Sequence, residues 1–277
     1  MGLRISTNVA SINGQRNLMN SQMKMSNSMS QLSSGSRINK SADDAAGLAI
    51  SETMRGHIRG MRQANRNAND GISLVQTAEG GLNEIGNIIV RLRELGMQAA
   101  SDTVGERERS FIDKEVQQLK SEADRIAKTT KWGDTTLLDG STPNYEFQVG
   151  LFNNESEDRI AFTANENVAT IDALGLSGID YTSKEGAQGA LTVLDEAQNR
   201  VNDSRSNLGA LQNRLVSTVN NLGVAEENLS AANSRIRDTD VASATADLAK
   251  NRVLLQASTA TLAQANGTSQ LALQLLG

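Results

Sequence analysis

The sequence predicts a mainly α-helical protein: a long antiparallel coiled-coil or helical-bundle rod formed by the N- and C-terminal segments, with a small β-hairpin region in the middle. Three observations carry this expectation. From Leu194, spacings of three and four alternate through Ala197, Val201, Ser204, Leu208, Leu211, Leu215, Thr218, Leu222, Ala225, Leu229, Ala232 and Ile236, with only Ser204 and Thr218 polar. An N-terminal run, Met54, Ile58, Met61, Asn65, Ala68, Ile72 and Val75, answers it. Such a heptad keeps an apolar seam turned toward a partner helix. Second, the helical period disappears between Lys131 and about Ile179. Third, apolar residues are 38% of the chain and aromatics only 3%, so Ala, Leu, Ile and Met must fill thin helix–helix seams.

The elements follow in order. A first helix is expected from about Asn8 to Ser34, with Val9, Ile12, Met19 and Met23 on one stripe, closed by Gly35 in a serine cluster. Ser41, three residues before Asp44, is expected to cap a second helix, with Asp43 and Asp44 at the positive end of its dipole. That helix runs roughly from Asp43 to Ala100, its stripe continuing through Ala78, Leu82, Ile85, Ile89 and Leu92. A phase slip at Ile72–Val75–Ala78, followed by Gly80-Gly81, predicts a bend or fray. Thr103-Val104-Gly105-Glu106 reads as a capping box for a third helix, striped by Ile112, Val116, Leu119, Ala123 and Ile126. Tyr145–Val149 and Arg159–Thr163 alternate like the strands of a hairpin. Thr182-Ser183-Lys184-Glu185 is a second capping box, opening a helix that runs to about Arg237. After Asp238-Thr239-Asp240 a last helix carries Val241, Ala244, Leu248, Leu255, Leu262 and Ala265. It ends in Leu271, Leu273, Leu275 and Leu276, which have no polar face to balance them and so point to partner subunits.

Several chemistries lack residues. One His (His57) and no Cys leave no ordinary zinc site and no His- or Cys-based triad. His57 flanks the seam position Ile58 and reads as structural, Asp43-Asp44 as helix-terminal charge, and Gly56-xxx-Gly60 as a close helix contact. Nothing matches a phosphate-binding or Ca²⁺-binding loop. An enzyme is therefore not expected, nor is any cofactor or metal. A net charge of −5 argues against phosphate-driven nucleic-acid binding, and no apolar run is long enough for membrane insertion. Residues 1–10 lack the apolar run of a secretory signal peptide. The absence of Cys, with Pro143 the single proline, suits a chain that folds after export, although helical composition alone also accounts for it.

The blocks Leu32-Ser-Ser-Gly35-Ser-Arg37-Ile38-Asn39, Asp43-Asp44-Ala-Ala-Gly47-Leu-Ala-Ile50 and Arg66-Asn-Ala-Asn-Asp70-Gly-Ile-Ser-Leu-Val-Gln-Thr-Ala-Glu79-Gly80 resemble the N-terminal signature of bacterial flagellins. Ser234-Arg-Ile-Arg-Asp238-Thr-Asp240-Val, then Gln264-Ala-Asn266 and Leu273-x-Leu275-Leu276, resemble the family's other end. The resemblance covers roughly residues 1–140 and 180–277 and looks like a short flagellin lacking the large variable outer domains. Departures are Lys131-Trp132-Gly133-Asp134, where an aromatic followed by Asn-Gly is common, and Gly267-Thr268-Ser269, where a proline is common.

What the resemblance implies is mechanical. Residues 1–42 and 237–277 would form an inner terminal coiled-coil domain, and 43–236 an outer helical domain with a β region at about 131–180. The chain would polymerise with itself into the flagellar filament, alone or with other flagellins. It would be secreted to the extracellular filament, with a sheathed or periplasmic location left open by the sequence. Expected partners are an export chaperone, the filament cap and hook-junction proteins, and an animal innate receptor. Arg91, Leu95 and Glu115 match the receptor motif, and Arg91 and Leu95 lie four apart on one helix face. Ile5, Val9, Ile12, Met19 and Met23 are the expected N-terminal filament-core contacts. Leu271, Leu273, Leu275 and Leu276 are the expected C-terminal ones, shared with the chaperone. A hook–filament junction protein and a secreted coiled-coil adhesin are the alternatives; an adhesin would not need apolar faces at both ends.

Overall fold

The computed structural model describes residues 7–141 and 144–274, with side-chain surroundings through 267. Ile5, Leu275 and Leu276 lie outside the described residues. Leu271 and Leu273 fall on a described helix, but their side chains do not. Among the described residues there are five α-helices, α1 (Val9–Ser34), α2 (Ala45–Ala99), α3 (Glu106–Thr129), α4 (Lys184–Arg237) and α5 (Val241–Gln274), and one 3-10 turn at Ala164–Asn167. Two antiparallel hairpins interrupt them, β1 (Lys131–Trp132) with β2 (Thr135–Thr136), and β3 (Tyr145–Gln148) with β4 (Arg159–Phe162). The chain divides into a unit of Met1–Gly56 with Asn228–Gly277 and a unit of His57–Glu227.

Within the His57–Glu227 unit, α2 and α4 run antiparallel. Arg62 pairs with Glu226 at 2.6 Å and Arg93 with Asp195 at 3.1 Å. A Cβ on Gly71 would meet Leu215, one on Gly86 would meet Val201, and one on Gly96 would meet Leu191. Every slot of the α4 heptad from Leu194 to Ile236 is buried or half-buried, and so is every slot of the Met54–Val75 run. α3 adds Val116, Ala123 and Ala127 to the same core.

Several local expectations are corrected. The α2 cap is Asp44, whose carboxylate accepts the Gly47 N–H at 2.8 Å, rather than Ser41. Asp43 instead accepts the amides of Lys40 and Asn39 in the preceding turn. Those bonds, Lys40 foremost, hold its carboxyl below the usual carboxylate range. α3 starts behind Gly105 with no side-chain cap, so Thr103 does not act as one. At α4 the cap is Ser183, whose hydroxyl accepts from Gly186 N, while Thr182 donates to Asp180. α2 continues unbroken through Gly80-Gly81. Gly81 is small for a packing reason: a Cβ there would lie 2.6 Å from Thr130 Oγ1 and 2.8 Å from Leu138 Cδ1. Gly60 receives Leu151 from the β3–β4 connection, not a helix, and Gly56 has nothing within 4 Å. His57 meets the Phe152 ring edge-on at 6.1 Å.

The β3–β4 hairpin forms as expected, with Tyr145 opposite Phe162 and Phe147 opposite Ile160. The smaller β1–β2 hairpin was not anticipated. Its turn has φ +59° at Gly133 and no positive φ at Asp134, the sign pattern of a type II′ turn with Gly first. Nor does periodicity announce the segments flanking the β3–β4 hairpin, residues 137–141 and 163–181, which bury Leu138, Leu176 and Tyr181 against the helices.

In the other unit α1 pairs with α5, antiparallel. Asn8 donates to the Ala265 carbonyl at 2.9 Å, Ser11 to Asn266 at 2.9 Å, and Gly14 abuts Leu262. The α1 residues turned inward are Ser11, Gly14, Leu18, Ser21, Met25, Ser28 and Leu32; those of α5 are Ala244, Leu248, Asn251, Leu255, Ser258, Leu262 and Ala265. Most of the expected α5 stripe is therefore confirmed, but Val241 is exposed. The α1 stripe of Val9, Ile12, Met19 and Met23 does not face α5 at all.

Candidate assembly interface

α1 begins where Asn8 accepts the Ser11 amide through its side chain and stops at Gly35 in the left-handed region, φ 69°. Between these caps the helix presents two different faces. The face toward α5 is made of serine, glycine and a few long aliphatics, and Ser28 is the only α1 residue that is buried. The opposite face carries Val9 and Ile12 at 56% exposure, Met23 at 60% and Met19 at 64%. On α5, Val253 and Leu254 are exposed as well, off the stripe that packs on α1. Large aliphatic side chains left in water each forgo roughly 1.5–3 kcal/mol of burial. Exposed apolar residues grouped on one helix face form the pattern of an interaction surface.

A second junction holds the two ends together. Arg37 N donates to the Arg237 carbonyl at 2.6 Å, Thr239 N donates to the Gly35 carbonyl at 2.9 Å, and the Arg37 guanidinium reaches the Ile236 carbonyl at 2.7 Å. Glu52 accepts from both Arg237 and Arg55. Those guanidinium bonds, Arg237 foremost, lower its pKa. Sequence reading missed this clamp. Its one signal was that helix breaks fall at both Gly35 and Asp238.

The expected receptor surface lies on α2 and α3. Arg91 and Glu115 are each about half exposed and bonded to one another at 2.9 Å, with Glu94 completing the group at 2.9 Å. The carboxylates, Glu94 foremost, push the guanidinium pKa higher still. Leu95 is different: at 3% exposure it belongs to the core between α2, α3 and α4, so a single docking surface does not touch both Arg91 and Leu95. Phe111, exposed beneath the Lys114 ammonium at 5.6 Å, was not anticipated as part of the α3 surface.

Among the described residues no group of His, Cys, Asp or Glu is arranged to hold a metal ion, and no helix is long and apolar enough to cross a membrane. The family model for the bacterial flagellin N-terminal helical region matches residues 5–142, and that for the C-terminal helical region matches residues 191–276. The chain is 44% identical over 272 residues to a flagellin of Halalkalibacterium halodurans, covering 98% of this chain and 99% of that one. It is 42% identical to a flagellar filament core protein of Brachyspira hyodysenteriae, again over 98% of this chain and 99% of the relative. Among solved structures, Bacillus cereus flagellin superposes with a TM-score of 0.51 at 31% identity, over 57% of this chain and 88% of that one.

Proposed function

The chain belongs to the bacterial flagellin family, and from that premise we propose how this structural filament subunit assembles. Its polymer contacts are the outward apolar residues Val9, Ile12, Met19 and Met23 of α1, together with Ile5 and with Leu271, Leu273, Leu275 and Leu276 near the ends of the sequence. The observation that carries this reading is that α1 leaves Val9, Ile12, Met19 and Met23 exposed on the face away from its own partner helix.

Energetics support a coupling of order to assembly. Fixing a residue costs roughly 1–2 kcal/mol in backbone entropy. Over α1 that cost is met by hydrogen bonds and by a seam to which α1 contributes only Ser28 as a fully buried residue. The terminal helices, about 40 residues at each end, become stable when neighbouring copies cover their outer faces. Contacts between copies are heterologous, so growth continues at an open end. Residues 1–42 and 237–277 then form the inner domain, and 43–236 the outer one.

The same reading makes the protein secreted and extracellular, handed from an export chaperone that binds the C-terminal leucines to a growing tip between hook-junction and cap proteins. Arg91 and Glu115 offer an exposed charged pair to an animal innate receptor, with Leu95 supporting that surface from beneath. Electron microscopy of the full-length chain seeded with filament fragments tests the reading. Long uniform fibres are expected, and a chain lacking residues 1–40 and 240–277 stays a soluble monomer. A full-length chain that never elongates, or a trimmed chain that does, overturns it.

A further inference from the structure

The inward faces of α1 and α5 fit by size, layer by layer. Gly14 sits under Leu262, where an added Cβ would come within 3.2 Å of Leu262 Cδ1. From this contact and the shared three-four spacing, Leu18 meets Ser258, Ser21 meets Leu255, Met25 meets Asn251, Ser28 meets Leu248 and Leu32 meets Ala244. Every one of these layers sets a long aliphatic side chain against a small or polar one. The helix that contributes the long residue changes at each step.

We propose that this alternation fixes the axial register of α1 on α5, with Gly14, Ser21, Ser28 and Ser258 as its register-determining small residues. Sliding α1 by one layer in one direction brings Leu18 against Leu262 and Ser21 against Ser258. Sliding it the other way brings Leu18 against Leu255 and Gly14 against Ser258. Either slip makes overfilled layers alternate with empty ones, and a packed seam tolerates neither. Asn251, opposite Met25, adds a buried amide of the kind that specifies alignment in coiled coils. A slip of a whole heptad would restore the size match, and there the backbone junction decides. Arg37 N to Arg237 O and Thr239 N to Gly35 O exist at one alignment only.

The register has a consequence beyond the seam. One layer is a translation of roughly 5 Å. Moving α1 by that amount would displace Ile12, Met19 and Met23 along the axis relative to α5, and so shift the outer face that α1 presents. Small seam residues thereby position large residues they never touch. This goes beyond the filament reading, because it concerns the pairing of two helices of one chain. It rests on that reading only for the order of those helices, so alignment is read in seeded full-length protein, and a parent cysteine pair that never closes would mark a failure of ordering rather than of register.

The chain contains no cysteine, so an introduced pair reports alignment without background. Ser11 Oγ and Asn266 Oδ1 lie 2.9 Å apart, and the full-length variant S11C/N266C should close an intrachain disulfide under oxidised glutathione, read by gel mobility. Adding Ser21→Leu, which faces Leu255, should lower the disulfide yield roughly fivefold or more. Adding Leu255→Ser to that variant exchanges the sizes within the layer and should bring the yield back. The swap keeps the readout meaningful even if Ser21→Leu alone unfolds the helices. An unchanged yield with Ser21→Leu alone, or no recovery in the size-swapped variant, overturns the proposal.

Discussion

At the scale of single residues, the two members of the α2 pair singled out from sequence have opposite physical characters. Arg91 is half exposed, and exposed ion pairs contribute about 0–1 kcal/mol. Arg91→Ala should therefore leave the denaturation midpoint nearly unchanged, so any loss of receptor signalling would report the surface itself. Leu95→Ala should cost about 2–5 kcal/mol, because it opens a cavity among buried aliphatics. Chemical denaturation of both variants checks this, and equal costs would contradict the burial described. Spacing in the sequence placed the two residues on one face. It could not show that α3 and α4 close over one and leave the other in solvent. Tyr181 is a buried residue that the sequence did not mark at all. Its hydroxyl donates to the Leu92 carbonyl at 2.9 Å, and burial pushes its pKa up to about 12. The folded state thus keeps a proton that the unfolded chain releases near pH 10. The contribution is intact below pH 10 and is lost as pH rises from about 10 through 12. The stability difference between the natural chain and Tyr181→Phe, followed across that window by urea denaturation, should shrink as pH rises.

At the scale of elements, helix existence was legible and helix termini were less so. A three-four stripe extends over dozens of residues, and its signal accumulates. A cap rests on one hydroxyl or carboxylate, and here neighbouring candidates competed: Asp44 displaced Ser41, and Ser183 displaced Thr182. The segments flanking the β3–β4 hairpin, residues 137–141 and 163–181, were illegible for a different reason. Their buried residues follow the surfaces of α2, α3 and α4, so they have no period of their own. Gly80-Gly81 shows how packing overrides propensity. Alanine is better than glycine in a helix by about 1 kcal/mol. Gly80 has open space around it, so Gly80→Ala should stabilise the chain by up to about that amount. Gly81→Ala should instead destabilise it by roughly 1–3 kcal/mol, because the new methyl group meets Thr130 and Leu138. Thermal unfolding of the two variants should shift in opposite directions. Parallel shifts would mean that the Gly81 contact is not close-packed.

At the scale of the whole molecule, the sequence-derived stripe on α1 was correct in its residues but not in its partner. Periodicity shows which residues share a face; it does not say what covers that face. Val9, Ile12, Met19 and Met23 share one, and the chain's own α5 packs on the other side. Two apolar directions on one helix give the subunit separate controls over folding and association. Substitutions on the outer face should therefore act on assembly while leaving the His57–Glu227 unit alone. Burying one such side chain is worth roughly 1.5–3 kcal/mol, and about 1.4 kcal/mol is a tenfold change in an equilibrium constant. Ile12→Ser with Met19→Ser should raise the critical concentration for seeded elongation by about a hundredfold or more. The main thermal transition, dominated by the α2–α3–α4 core, should move little, because both residues belong to the other unit. Sedimentation of seeded fibres against subunit concentration gives the first quantity, and calorimetry gives the second. If both fell together, the outer face of α1 would be stabilising the fold rather than joining copies. If assembly were unaffected, the residues that link subunits would have to lie elsewhere, and the exposed apolar face of α1 would lose its explanation.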